Sequence, residues 1–229
     1  MKMKMIKPLM LIASLLIASH SQAGFITTQE AALDSIFSQT SFGSMPIDIR
    51  IGAATEIVFP SLLDISSDAE ISQIFGMHVG SANIVNFYFV DTISACGGFN
   101  PAIVGCGELP GNDFVVESSF AAGGFGGELL AHELGHNLGL GHLNGNYLMN
   151  PSLNNFTELT SAEVTTIRNS SLVQSSVQSD GQQQFWIDIN PVLIVAQASK
   201  PDPIPEPSIL LLFLISLGLI YQNQIKRNS

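Results

Sequence analysis

Eleven consecutive residues constrain this 229-residue chain more than any other stretch: from 132 to 142 it reads His-Glu-Leu-Gly-His-Asn-Leu-Gly-Leu-Gly-His. On a helix, residues i and i+4 lie one turn apart on the same face, so His132 and His136 can offer both imidazoles to one metal ion. Glu133 sits beside them, placed to reach water on the metal rather than the metal itself. Gly139 comes three residues after His136, where a helix ends most cheaply in a left-handed residue. The chain can then turn and bring His142 back as a third ligand. Three neutral imidazoles with an open fourth position describe a catalytic zinc site, one Zn2+ per chain, whereas structural zinc sites are closed and cysteine-rich. The bland alternative is a solvated, histidine-rich amphipathic helix. Five fixed positions within eleven residues, each with its own mechanism, weigh against it.

Downstream, Asn146-Tyr147-Leu148-Met149-Asn150-Pro151 places a methionine seven residues after His142. The long histidine motif followed by this methionine resembles the metzincin clan of zinc endopeptidases. The resemblance spans roughly residues 47–172 and is specific from His132 to Met149. It implies an α+β fold in which a mixed β-sheet carries an active-site helix, with a small, mostly helical C-terminal subdomain. The N-terminal subdomain would run to about residue 142 and the C-terminal one from about 143. Met149 would form a hydrophobic floor beneath the three imidazoles. Pro151 stands where clan members with a tyrosine ligand carry it, which leaves His132, His136 and His142 plus water.

The implied reaction is zinc-dependent hydrolysis of peptide bonds within a polypeptide substrate. Glu133 would be the general base that takes a proton from the attacking water and passes it to the leaving amine. Leu134 and Leu138 would support the helix from beneath, and residues after Met149 would line the specificity pocket. The alternative is a non-catalytic surface or biofilm-matrix protein that keeps a structural metal site, for which an intact Glu133 would have no use. A second rival is the same chemistry on a small peptide or non-peptide amide.

The two ends carry their own signals. Lys2, Lys4 and Lys7 precede an apolar run from Leu9 to Ala18, and Ser21-Gln22-Ala23 offers the small residues a signal peptidase reads, so residues 1–23 read as a signal peptide. The catalytic domain then occupies residues 24–200. Residues 201–229 comprise a four-proline linker, the apolar run Ile209 to Tyr221, and Lys226-Arg227. Pro205-Glu206-Pro207 with that run and those cations resembles the PEP-CTERM sorting tail of Gram-negative bacteria. This implies export, a sorting protease of the exosortase type as partner, and a cell-surface or extracellular destination after tail processing. The alternative is a permanent inner-membrane anchor with the domain facing the periplasm. As a helix the thirteen residues from Ile209 to Tyr221 rise only about 20 Å, short of the roughly 30 Å hydrocarbon core, which favours transient insertion.

Between residues 24 and 200 only Arg50, Arg168 and Lys200 oppose seventeen Asp and Glu. Such a surface repels nucleic acid. Cys96 and Cys106 have nine residues between them in a glycine-containing loop. Under the oxidising conditions an exported protein meets, they read as a disulfide. A metal or redox pair is disfavoured, since no CxxC is present.

Patterning supplies the scaffold. A capping box of Thr27 and Glu30 predicts a helix burying Leu33, Ile36 and Phe37, and a second, Ser67 with Glu70, one burying Ile71, Ile74 and Phe75. His78 reads as an ordinary, partly buried histidine. Ile47, Ile49 and Ile51 alternate as a half-buried strand, and Ile84 to Val90 reads as an interior one. Asp91 to Gly111 reads as a long surface loop with a short edge strand around Ala102 to Val104. By the resemblance, a segment between Ala102 and Pro110 pairs with extended substrate, with Phe114 to Ser118 as its inner neighbour. The glycine-rich run Ala121 to Gly127 reads as a flexible lead into a helix from about Gly127 to Leu138. Thr160 with Glu163 caps a later helix with Val164 and Ile167 inside. Gln174 to Gln184 reads as loop, and Phe185 to Ala196 as one or two strands that Pro191 consigns to an edge or turn.

Overall fold

The computed structural model describes residues 25–198. They form an α+β fold with a mixed sheet and five helices. The expected signal peptide over 1–23 and the expected linker and tail over 201–229 lie outside the described residues. Among the described residues no helix is long and apolar enough to cross a membrane.

Helix α1 (Glu30–Phe37) buries Leu33, Ile36 and Phe37, as their spacing requires. It does not use the expected Thr27 cap. Gln29 is its N-cap, in a left-handed conformation (φ 50°) and without a side-chain capping bond. The Gln29 amide instead donates to the Ala121 carbonyl at 2.9 Å, tying the start of α1 to the segment ahead of the histidine motif. After β1 (Ile47–Ile51), β2 (Thr55–Val58) and the two-residue β3 (Asp64–Ile65) comes α2 (Asp68–Phe75). Ser67 caps α2 by accepting from the Glu70 N–H, while the Glu70 carboxylate reaches one residue further back to the Ser66 N–H at 2.7 Å. The bonds from Ser66 hold that carboxyl below its ordinary range.

Next follow β4 (Ile84–Val90), β5 (Thr92–Ile93), β6 (Gly105–Gly107), β7 (Asp113–Glu117) and the single turn α3 (Ser118–Ala121). The chain then forms α4 (Gly126–Asn137), α5 (Ser161–Arg168), β8 (Gln174–Val177) and β9 (Gln183–Val195). The main sheet runs in the order β1-β9-β4-β7-β6, with β2 and β8 also paired to β9. From β1 to β7 it is parallel, and β6 joins β7 antiparallel. A parallel sheet is covered on both faces, so its inner strands read as unbroken apolar runs. In β4, Val85, Phe87 and Phe89 pack with α1, α4 and α5 on one side, and Tyr88 and Val90 pack with α2 on the other.

The largest departure from expectation is β9. It is one 13-residue strand in the middle of the sheet, with Pro191 buried and paired with Phe87 of β4. Proline is tolerated there because of where its missing N–H would point. The Ile189 carbonyl faces β1 and accepts from Gly52 N–H at 2.7 Å. With a period of two, Pro191 faces the same side. There β1 has ended at Ile51 and β2 begins only at Thr55, so no ladder partner is left unsatisfied. Thus the chain beyond residue 143 contributes α5 and then returns to the middle of the main sheet. Gln174 to Gln184 is likewise not a loop: β8 and β9 form an antiparallel hairpin there, with Gln174 opposite Trp186.

The edge strand falls at Gly105–Gly107 rather than around Ala102 to Val104, and its inner neighbour is β7. The run from Ala121 to Gly127 ends in close packing. A Cβ on Gly126 would lie 1.9 Å from the Ala121 carbonyl oxygen, and one on Gly127 would lie 2.6 Å from the Ala32 Cβ. Gly126 and Gly127 thus allow the start of α4 to approach the Ala121 backbone and α1 closely.

Candidate metal centre

Every residue of α4 except Gly127 is buried, so the helix carries its histidines through the interior. Its end is set by Gly139 at φ +94°. The Gly139 N–H donates to the His136 carbonyl and the Leu140 N–H to the Gly135 carbonyl, both at 2.9 Å. This is the Schellman closure, which satisfies two of the helix's orphan carbonyls. It turns the chain so that His142, outside the helix, comes back to face His132 and His136.

The three histidines each bring one ring nitrogen into a group whose members lie within 4.8 Å of one another. The rings are 4.8 to 5.3 Å apart between centroids. The tautomers follow from the partners. His132 Nδ1 lies 2.8 Å from the Leu148 carbonyl and His136 Nδ1 lies 2.8 Å from the Leu140 carbonyl. A carbonyl can only accept, so each Nδ1 carries the proton and each Nε2 keeps its lone pair. Burial pulls the pKa of His132 down to about 4 and lowers that of His136 as well, which keeps both rings neutral near neutrality. These three residues can hold a metal ion.

The Met149 segment supports this arrangement from below. Met149 is fully buried, and its turn presents the Leu148 carbonyl to His132. The turn is held in place by Leu143 N–H donating to the Met149 carbonyl at 2.8 Å. A Cβ on Gly135, between the two helical ligands, would stand 2.5 Å from the Met149 sulfur. That explains a glycine in mid-helix, where alanine is intrinsically better by about 1 kcal/mol. Gly135→Ala is therefore expected to destabilise the protein, because the fully buried Met149 thioether would have to repack, and overpacking of about 1–3 kcal/mol outweighs the propensity gain. In a Met149→Ala background the same substitution should become neutral or stabilising. Denaturant unfolding of the four proteins checks this, and a stabilising Gly135→Ala in the parent would refute it.

Glu133 faces a cavity of about 660 Å³ that also receives His132, His136 and His142. Asn150, Pro151, Ser152 and Leu153, just after Met149, also line it. Burial pushes the Glu133 carboxyl up to about 8, with no hydrogen bond opposing it. A cation held by the imidazoles would act in the opposite direction. The roof of the cavity is β6, where Gly105 and Gly107 lie against Glu133. Between them, Cys106 is bonded to Cys96 across a Cα separation of 5.9 Å, as the loop setting suggested.

Patterning missed three contributors. The buried Glu128, one turn before His132, accepts the N–H groups of Asn154 and Asn155 at 2.7 and 2.9 Å and so fastens the cavity wall after Met149. An acid on the buried face of the motif helix was a visible anomaly. The Asn137 amide donates to the carbonyls of Glu108 and Asp113 at 3.1 and 2.9 Å, joining the end of α4 to the β6–β7 turn. No local pattern announces that. Gly105 and Gly107 stand two apart on one strand face, which in a strand marks close approach of something else. His78 is partly buried as expected, but it is no isolated residue. Its Nδ1 lies 2.9 Å from the buried Asp113 carboxylate and 2.7 Å from the Asn86 amide.

Comparison of the chain with models of known protein families and with curated proteins yields no match.

Proposed function

We propose that the protein is an exported, zinc-dependent endopeptidase of metzincin type. One arrangement carries this reading: two imidazoles locked through Nδ1, a third facing them, and a buried, unpartnered carboxylate beside them in one cavity. The donor set argues for zinc. Three imidazoles without carboxylate suit a borderline first-row ion, whereas calcium and magnesium require oxygen ligands, and both cysteines are engaged with each other. His132, His136 and His142 would hold the ion through one ring nitrogen each. Of the three, His142 alone is exposed and stands off the helix.

When bound there, zinc would supply Lewis acidity, making a water nucleophilic near neutral pH and stabilising negative charge on the attacked carbonyl. Glu133 would accept the proton at its carboxylate and return it to the leaving amine. The low polarity that raises its pKa suits a group that must hold a proton in mid-reaction. β6 is the last strand of the sheet, so among the described residues one side of it has no ladder partner and can receive an extended polypeptide. An intact base in the cavity speaks against a purely structural metal site in a matrix protein. The disulfide suits an oxidising compartment, and the sorting-tail reading would take the domain to the cell surface.

Metal analysis of the purified exported protein is expected to give one zinc per chain. Incubation with an unfolded polypeptide should yield internal cleavages that a chelator abolishes and added zinc restores. An uncut polypeptide after incubation with fully metal-loaded protein would reject the peptidase reading.

A further inference from the structure

The edge strand β6 touches the Glu133 carboxylate more closely than any side chain would allow. A Cβ placed on Gly105 would lie 2.4 Å from Glu133 Oε1, 2.8 Å from its carboxyl carbon and 2.9 Å from its Cγ. Gly107 makes a different contact. A Cβ there would meet the Glu133 backbone oxygen at 3.0 Å and both the Glu133 Oε2 and the His136 Cβ at 3.2 Å, so it too reaches the carboxylate, but less closely than one on Gly105 and with the helix backbone nearest.

The strand has little freedom to withdraw. Gly105 and Gly107 are paired with Val116 and Phe114 of β7. Cys106 between them is bonded to Cys96, and Asn137 holds the following turn to α4. The flexible partner is the end of the Glu133 side chain, and it alone can move at low cost.

We infer that Gly105 is a positioning residue for Glu133: the bare backbone at this point of the clamped edge strand sets where the carboxylate stands in the cavity. The inference rests on the endopeptidase reading for its kinetic consequence, but the contact itself does not. Restoring ordinary van der Waals separation of 3.4 Å or more from 2.4 Å requires a shift of about 1 Å. A 1 Å misplacement of a reacting group can cost about 10²-fold in rate.

The test is Gly105→Ala in the full exported protein, with Gly124→Ala, where a Cβ meets nothing within 4 Å, as control. Gly105→Ala is expected to keep one zinc per chain and its thermal midpoint within a few degrees, and to lose about 100-fold in kcat with KM changed by less than about threefold. Gly124→Ala should match the parent in all four. The crystal structure of metal-loaded Gly105→Ala should show the carboxylate displaced by about 1 Å with β6 in place. A parent-like kcat, or a loss only in proportion to lost zinc or folded protein, would overturn the inference while leaving the peptidase reading intact. If the parent itself cuts no polypeptide, that reading falls and the carboxylate position in the two crystal structures decides the contact: an unmoved Glu133 sinks it.

Discussion

Glu133→Ala is expected to retain its metal and lose nearly all turnover. No metal-ligand nitrogen is touched, and the Nδ1 anchors of His132 and His136 go to Leu148 and Leu140. What disappears is the one buried acid in the cavity. Loss of a positioned general base costs about 10²–10⁴-fold in rate. The fold should tolerate the change, because the carboxylate has no hydrogen-bond partner to orphan and its burial is itself unfavourable, as its pKa of about 8 records. A structural role predicts the reverse, a fall in thermal midpoint with turnover tracking the folded fraction. Metal content, kcat/KM and thermal unfolding, measured side by side, separate the two. Unchanged turnover would remove Glu133 from the mechanism, and the nearly isosteric Glu133→Gln should behave as Glu133→Ala does.

The site was far more legible than the sheet that carries it, for physical reasons. His132, Glu133 and His136 are related by helical geometry within five residues, and Gly139 announces the helix end through backbone sterics. Local rules therefore suffice to bring them together. Thr160 and Glu163 likewise form the full reciprocal capping box, because both partners belong to one turn. Pro191 fails as a local signal. Whether its missing N–H matters depends on a break between β1 and β2 about 140 residues away in sequence, which no window around Pro191 contains. Gly105 fails in the same way. Its composition reads as loop, and only the approach of α4 from elsewhere in the chain turns absence of a side chain into a requirement. Gln29 shows a tertiary bond overriding a local one, since its tie to Ala121 replaces the cap that Thr27 offered.

His136→Ala and His142→Ala should both lose the metal and with it all turnover, yet differ in what they do to the fold. Each leaves two imidazoles, and loss of a direct ligand should cost more than the about 10–100-fold in affinity that second-shell changes cost. His136 is buried, and its Nδ1–H satisfies the Leu140 carbonyl at the Schellman turn. Truncation leaves that carbonyl without its partner and hollows the helix face, so the metal-free variant should be less stable than the metal-free parent by about 1–3 kcal/mol. His142 is exposed, follows the turn, and among the described residues its ring contacts are with the two other imidazoles. Its removal should leave the metal-free stability within about 0.5 kcal/mol of the parent. Denaturant unfolding after exhaustive chelation, alongside zinc titration of each variant, distinguishes ligands from packing histidines. Full zinc affinity in His142→Ala would mean that the chain holds its metal with two imidazoles and some other group, and the three-histidine site would have to be abandoned.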